Sequence, residues 1–326
     1  MRLGVLLPHR AVVLQSARRP PSETCWTVAR MCDAAGMDLW VGDSIVAKPR
    51  LEPLTTLAYL AAITQQSRLG TAVLLPALRQ PTVLAHALAN IDQLSHGRLV
   101  LGLGVGWALP DIVREWEACG RAHKRRRQDL EEHIVVWRQL WSGQEVTYTG
   151  HDVQLTAHTI GPLPWHEAGP PILITAGNRG EIIPAQLDRF ARLGDGIITT
   201  YVTDDDCRIL RARCEEVLAQ HRRSLPGFPL CVYTTVCLDT DVTQAEALTR
   251  TFLQQYYGGG VHYHGLMGLG PASTVVDMLK RYEAAGVTDL CIRFVGTDQV
   301  PQLEQFIHEV VPAYTAQVET SNTARP

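Results

Sequence analysis

Two apolar runs, 69–75 and 99–104, flank a helical stretch at 81–94. Continuous apolar runs of that length read as strands buried on both faces, and the stretch between them is long enough to bring the chain back in parallel. The first run closes on Pro76. The second dissolves into Gly102, Gly104 and Gly106, where backbone can approach a flat or phosphorylated molecule closely. The same rhythm recurs, with strands at 2–8, 37–41, 172–176, 196–200, 230–238 and 290–295 and helices between them. Eight strands alternating with eight or nine helices predict an α/β fold, a single (β/α)8 TIM barrel, with its site at the carboxyl ends of the strands.

A chain of 326 residues, 46% of them apolar, suits one such barrel with insertions. Its net charge of −3 suggests neither a nucleic acid nor an anionic membrane as partner. Arg125-Arg126-Arg127 reads as a solvated helix start. No apolar run reaches the roughly 18 residues of a membrane span, and the chain enters a strand at once, so a cytoplasmic protein is expected. The eight cysteines form no C-x-x-C pair and sit mostly on apolar faces, as reduced core thiols do. The rhythm breaks after the fourth helix of this reading, 129–141. Residues 142–171 are expected to be an insertion with a hairpin around Val146-Thr-Tyr-Thr-Gly150, within a barrel domain of 1–312 followed by a disordered tail at 313–326.

The strand ends carry His9, Asp43, Ser44, Trp107, Thr199 to Tyr201 and Arg293 to Gly296, with no G-x-S-x-G elbow and no H-E-x-x-H pair. Asp43 is a lone carboxylate without an obvious partner for acid/base work. A glycine-rich, apolar, thinly charged site suits a planar cofactor that brings its own reactivity. Thr175-Ala-Gly-Asn-Arg-Gly180 follows a strand and is read as opening a helix, so its backbone N–H groups are expected to hold a phosphate. The G-x-G-x-G of 102–106 lacks the acidic residue of a dinucleotide fingerprint, which disfavours a Rossmann fold. His9 reads equally as an acid facing the pocket or as a satisfied core histidine. Arg79 reads as a ligand of an anionic cofactor tail or as a surface salt bridge. His262 and His264, after Gly258-Gly-Gly260, read as part of a mobile loop rather than a metal pair; no metal site is expected.

Gly70-Thr-Ala-Val-Leu-Leu-Pro76, Pro81-Thr-Val-Leu-Ala85, Leu94-Ser-His-Gly-Arg-Leu-Val-Leu-Gly-Leu-Gly-Val-Gly-Trp107 and Gly194-Asp-Gly196 together resemble the bacterial luciferase-like family, and within it the coenzyme F420-dependent oxidoreductases. The resemblance covers residues 1 to about 312. It implies a non-proline cis peptide at Ala72–Val73 against the cofactor's central ring, Asp43 at the ring edge, Gly104, Val105 and Gly106 beside the ring and its chain, and Ala176, Gly177 and Asn178 as a phosphate turn. Ser44 and Trp107 stand where sugar-phosphate dehydrogenases of the family carry a histidine and a glutamate, so that reaction is not expected; Trp107 would wall a substrate pocket or pack as a rim aromatic. The implied activity is hydride transfer from reduced F420 to a small organic acceptor at C=C or C=N, with His9, Asp43 and Ser44 orienting the acceptor or passing a proton. The alternative is an FMN monooxygenase using reduced flavin and O₂ on the same barrel; a flavin-binding protein without turnover is the third reading. The expected partner is a small-molecule substrate, and a homodimer is possible by analogy with the family.

Overall fold

The computed structural model describes residues 1–178, 180–258 and 267–316. In chain order its elements are β1 (Arg2–Leu6), α1 (Ala11–Gln15), α2 (Glu23–Ala34), β2 (Asp38–Val41), α3 (Pro53–Ile63), β3 (Leu69–Leu74), α4 (Pro81–Leu94), β4 (Leu99–Leu103), α5 (Pro110–Ala118), α6 (Arg126–Trp141), β5 (Val146–Thr149), β6 (Gln154–His158), β7 (Ile172–Asn178), α7 (Pro184–Leu193), β8 (Gly196–Thr200), α8 (Asp204–Gln220), β9 (Leu230–Leu238), α9 (Val242–Tyr257), β10 (Gly268–Gly270), α10 (Ala272–Ala284), β11 (Asp289–Phe294) and α11 (Val300–Gln305). Strands β1, β2, β3, β4, β7, β8, β9 and β11 pair in parallel in that order, and β11 returns to β1. This is the expected closed eight-stranded barrel, with β10 added beside the end of β9.

Alternate strand residues point inward and outward. The outward set (Leu39, Leu69, Leu101 and their like) forms the main core with the helix stripes, such as Leu84 and Leu88 of α4 and Ile134 and Trp137 of α6. The inward set is small: Leu6, Trp40, Val100, Leu173, Ile198, Cys231 and Cys291. Trp40 fills the barrel axis, and glycines make room for it. A Cβ at Gly4 would stand 2.6 Å from the indole Nε1, and one at Gly70 would overlap the ring.

The amino end of the barrel is closed by charge. Arg68 bonds Asp38 at 2.6 Å and also reaches Asp289, while Arg2 reaches the other Asp38 oxygen at 2.5 Å. Burial alone would push the Asp38 carboxyl up, but hydrogen bonds from Arg2 and Arg68 hold it below the usual range.

The anticipated hairpin is β5–β6, antiparallel, between α6 and β7. It is tied to α6 by Asp152, whose carboxylate meets His133 Nε2 at 2.7 Å and Arg121, and by Glu132, which accepts from the Asp152 and Val153 amides. Three short elements were not anticipated, α1, α5 and β10; with α1 and α5 counted, the insertion follows the sixth helix and not the fourth. Helical winding also continues to residue 316, with Tyr314 buried, so a tail beginning at 313 is too early. Residues 317–326 and the pair His262 and His264 lie outside the described residues.

Candidate active site

The carboxyl mouth of the barrel has two unlike walls. On one, β3 bulges: the Ala72–Val73 peptide is cis, and the register against β4 shifts between Thr71 and Leu74. Ala72 and Val73 are the only partly exposed residues of that strand. The glycines of β4 answer to the bulge. Thr71 Oγ1 donates to the Gly102 carbonyl at 2.8 Å, and a Cβ at Gly104 would stand 2.6 Å from Val73 Cγ2. Gly106 has φ +70° and lies against Trp116 of α5. The backbone expected to be open to a ligand at 102–104 is therefore occupied by the protein itself. Val105 and Gly106, after β4, are half-buried.

The three side chains expected to do chemistry are engaged elsewhere. His9 is wholly buried. Its Nδ1 lies 2.7 Å from the Leu7 carbonyl, and its Nε2 accepts from the Gly42 amide at 3.1 Å. Burial first, and then the Arg50 charge, lowers its pKa to about 4. It is a neutral core histidine with no nitrogen left for a substrate, which corrects the acid reading. Asp43 accepts from the Leu75 amide at 2.9 Å and from both Nη atoms of Arg79, at 2.6 and 2.9 Å. Its side chain has no exposed surface. So Asp43 braces the end of β3 and does not edge a cofactor ring, and Arg79 is neither a tail ligand nor a surface bridge but its partly buried counter-ion. Ser44 donates to Glu115 Oε1 at 2.7 Å and accepts from the Lys48 amide at 2.8 Å, which leaves it no proton to give a substrate.

Glu115 escaped the sequence reading. One oxygen accepts from the Ser44 hydroxyl and from the amides of Ile45 (2.5 Å), Val46 (2.7 Å) and Ala47 (3.1 Å). The residue is buried. The signal was its place in the apolar stripe Ile112, Glu115, Trp116 of α5, where a solvated glutamate does not belong.

The expected phosphate turn also differs. After β7 the next helix, α7, begins at Pro184, so the turn opens no helix N-terminus. Gly177, at φ +64°, donates its amide to Gln186 Oε1 at 3.2 Å and accepts from Thr199 Oγ1. Ala176 is buried, and the Asn178 side chain lies outside the described residues. Trp107, after β4, is half exposed, as are Ile45, Val46 and Leu109.

The opposite wall, at the ends of β8, β9 and β11, is built from tyrosines around a cation. Arg293 is 1% exposed and has no carboxylate partner among the described residues. It donates to the Tyr257 hydroxyl at 2.6 Å and to Thr235 Oγ1 at 2.8 Å, and its Nε has no acceptor. The rings of Tyr233, Tyr256 and Tyr257 lie 5.0–5.3 Å from its guanidinium carbon. Tyr201, in the turn after β8, donates to the Tyr257 oxygen at 3.3 Å. Two further arginines have no carboxylate partner among the described residues. Arg10 donates to the Tyr256 carbonyl at 2.9 Å, and Arg50 donates through Nε to the Lys48 carbonyl at 3.0 Å. The Arg50 guanidinium lies over the end of β2, so close to Gly42 that a Cβ there would meet Nη1 at 2.5 Å. The mouth is thus poor in free carboxylates, as expected, but rich in cations, which was not.

The closed barrel, its bulged third strand and the cations gathered at its carboxyl mouth put the candidate site at the carboxyl ends of the strands. The family model of luciferase-like monooxygenases matches residues 1–287, and the chain belongs to that family. The F420-dependent glucose-6-phosphate dehydrogenase of Nocardia farcinica is 33% identical over 206 residues, 60% of this chain and 58% of that one. The chain spans about half to three fifths of the length of the curated relatives it matches. Among solved structures, monooxygenase RslO1 from Streptomyces bottropensis superposes with a TM-score of 0.82 at 20% identity, covering 96% of this chain and 100% of that one. An F420-dependent secondary alcohol dehydrogenase with an F420-acetone adduct gives 0.79 at 17%, over 96% and 98%. At those identities the likeness is one of fold. No described helix is long and apolar enough to cross a membrane.

Proposed function

We propose that the mouth of this barrel binds reduced coenzyme F420 and that the protein reduces a small organic acceptor at C=C or C=N. The asymmetry of the mouth carries this reading. An uncharged wall of bulged β3, with Ala72 and Val73 partly exposed, fits the face of a planar ring. Arg50 over the end of β2, and Arg10 and Arg293 among the tyrosines, have no carboxylate partner among the described residues, which fits a ligand that supplies negative charge. Relatives at 31–33% identity named as F420-dependent support the choice of deazaflavin over FMN.

When bound, the reduced deazaflavin supplies the hydride. The protein's residues do the rest. Ala72, Val73, Val105 and Gly106 support the ring. Arg50, its Nη atoms free of carboxylates beside Gly42, holds an anionic part of the cofactor. Trp107 and Leu109 fence the rim and exclude water from the acceptor. No step is assigned to His9, Asp43 or Ser44, whose polar atoms are already paired.

Fluorescence titration of the protein with F420 and with FMN, followed by oxygen-electrode assays, tests the reading. F420 binding at least about tenfold tighter than FMN, with turnover that consumes no oxygen, is the expected result. The reverse preference with stoichiometric oxygen uptake would make the protein a flavin monooxygenase instead.

A further inference from the structure

One hydroxyl inside the barrel is left without work in the free protein. Thr200 and Thr235, which point inward near the mouth, are both engaged: Thr200 Oγ1 donates to the Tyr233 carbonyl at 3.0 Å, and Thr235 Oγ1 accepts from Arg293 at 2.8 Å. Thr175 of β7 has no hydrogen-bond partner for its Oγ1 among the described residues. Nor is that oxygen sealed from solvent, as the unpartnered Thr82 hydroxyl is.

Three observations turn Thr175 into the barrel. It follows inward Leu173 by two residues, it pairs in register with inward Ile198, and a Cβ at Gly104 would stand 3.4 Å from its Cγ2. The layer beneath it is closed, with Trp40, Leu173 and Ile198 at 1–2% exposure, whereas Thr175 is only half-buried. The surface it keeps therefore opens toward the carboxyl mouth. The same Cβ at Gly104 would stand 2.6 Å from Val73 Cγ2. Thr175 thus flanks the bulge of β3 across Gly104, two strands further round the barrel.

We propose that Thr175 Oγ1 hydrogen-bonds the polar edge of the cofactor ring, a positioning contact that rests on the proposed seat of that ring at Ala72 and Val73. Deazaflavin and flavin rings share an edge of carbonyl and N–H groups. Each such group taken out of water without a partner costs about 1–3 kcal/mol. The side chains of the seat cannot meet that need: Ala72 and Val73 carry no polar side-chain atom, and Asp43 and Ser44 are taken. A hydroxyl donates to a carbonyl or accepts from an N–H, so it serves either group. Folding alone gives no reason for an oxygen at this position. Valine fills the same shape, and in the free protein Thr175 Oγ1 bonds nothing that valine would lose.

The experiment compares wild type, Thr175→Val and Thr175→Ser by fluorescence titration with F420 without acceptor, at low and high salt, beside urea unfolding of each protein without cofactor. Thr175→Val should weaken F420 binding roughly 3–12-fold, the share of one neutral hydrogen bond, and Thr175→Ser should stay within about twofold of wild type. The weakening should be the same at both salt concentrations, because no charge is lost. Thr175→Val without cofactor should unfold at a urea concentration no lower than wild type. Unchanged F420 affinity in Thr175→Val overturns the proposal, and a raised KM for the acceptor beside it would move the contact to the acceptor. Equal weakening by valine and serine overturns it too, because packing and not the hydroxyl would then be the cause. A Thr175→Val protein destabilised without cofactor would make the hydroxyl structural and overturn it as well. Wild type that prefers FMN overturns the F420 reading alone: flavin carries the same edge, so the ratio of wild-type to Thr175→Val affinity for FMN still decides the role of Thr175. Wild type that binds neither ring overturns both.

Discussion

The two ends of the barrel treat arginine in opposite ways. At the amino end Arg2 and Arg68 meet Asp38 and Asp289, and charge is balanced within the cluster. At the carboxyl end Arg10, Arg50 and Arg293 meet carbonyls, hydroxyls and aromatic faces, while the nearby carboxylates Asp43 and Asp111 are taken by Arg79 and Lys48. A buried cation without its anion opposes stability unless something absent from the free protein completes it. The paired end balances its charge within the fold, and the proposed binding of an anionic ligand rests on the end that does not. Function reads here as a difference in charge balance between two chemically similar sets of residues.

The largest effect expected from this contrast is at the paired end. Replacing Arg68 with Met leaves Asp38 and Asp289 buried without their shared cation and should cost about 3–5 kcal/mol of stability, measured by urea unfolding. The surviving folded protein should keep its F420 affinity. A loss of affinity with unchanged stability would invert the roles given to the two ends. Next comes His9, held neutral beneath the mouth. Its folded pKa of about 4 lies below the 6.5 of an exposed histidine. The lowered value means that its contribution is fully present above pH ~6.5 and is lost as pH falls toward 4. The loss is worth about 3 kcal/mol. Urea midpoints measured across that range should drop in wild type and drop less in His9→Asn.

What could be read in advance follows the same division. The barrel was legible from runs such as 69–75 and 99–104, because strands buried on both faces carry their apolar signal without interruption. Helix α5 was not, since its nine residues span only about two and a half turns. At the mouth, polar residues at strand ends were taken for chemistry, and the structure shows His9, Asp43 and Ser44 joined to backbone and side chains up to 71 residues away. Such pairings leave no trace in local sequence. Ala72–Val73 was placed by resemblance and not by any propensity of an alanine–valine pair. The Arg293 cluster joins β9, β11, α9 and the turn after β8, so no segment contains it. One clue was nevertheless present. Alternation along Asp289, Cys291, Arg293 and along Cys231, Tyr233, Thr235 puts a charge and a phenol inward at the carboxyl ends.

Glu115 sharpens the comparison from the side of the mouth that does no chemistry. One of its oxygens gathers the Ser44 hydroxyl and three successive amides, and so shapes the 44–47 loop beside rim residues Ile45 and Val46. Glu115→Gln keeps a carbonyl acceptor but removes the charge, and should cost about 1–2 kcal/mol. Faster hydrogen exchange at the amides of Ile45, Val46 and Ala47 should accompany it. Unchanged exchange there would mean that the loop is shaped by packing rather than by the carboxylate.

The smallest change in stability is expected where the comparison is most exposed to failure, at Arg50. Its guanidinium bonds only the Lys48 carbonyl among the described residues, and it depresses the pKa of His9 beneath it. Because His9 is neutral near pH 7, removing the charge relieves no repulsion there and gives up only one partly buried bond. Arg50→Met is therefore expected to shift unfolding by no more than about 0.5 kcal/mol, against several for Arg68→Met. If the mouth is left unpaired in order to receive an anionic cofactor, the same substitution should weaken F420 binding about tenfold, near 1.4 kcal/mol. The weakening should shrink as salt is raised, because the lost interaction is a charge pair. A destabilisation equal to that of Arg68→Met, with affinity untouched, would make Arg50 a structural residue like those at the closed end. The two ends of the barrel would then differ only in the chemistry of their partners, and not in purpose.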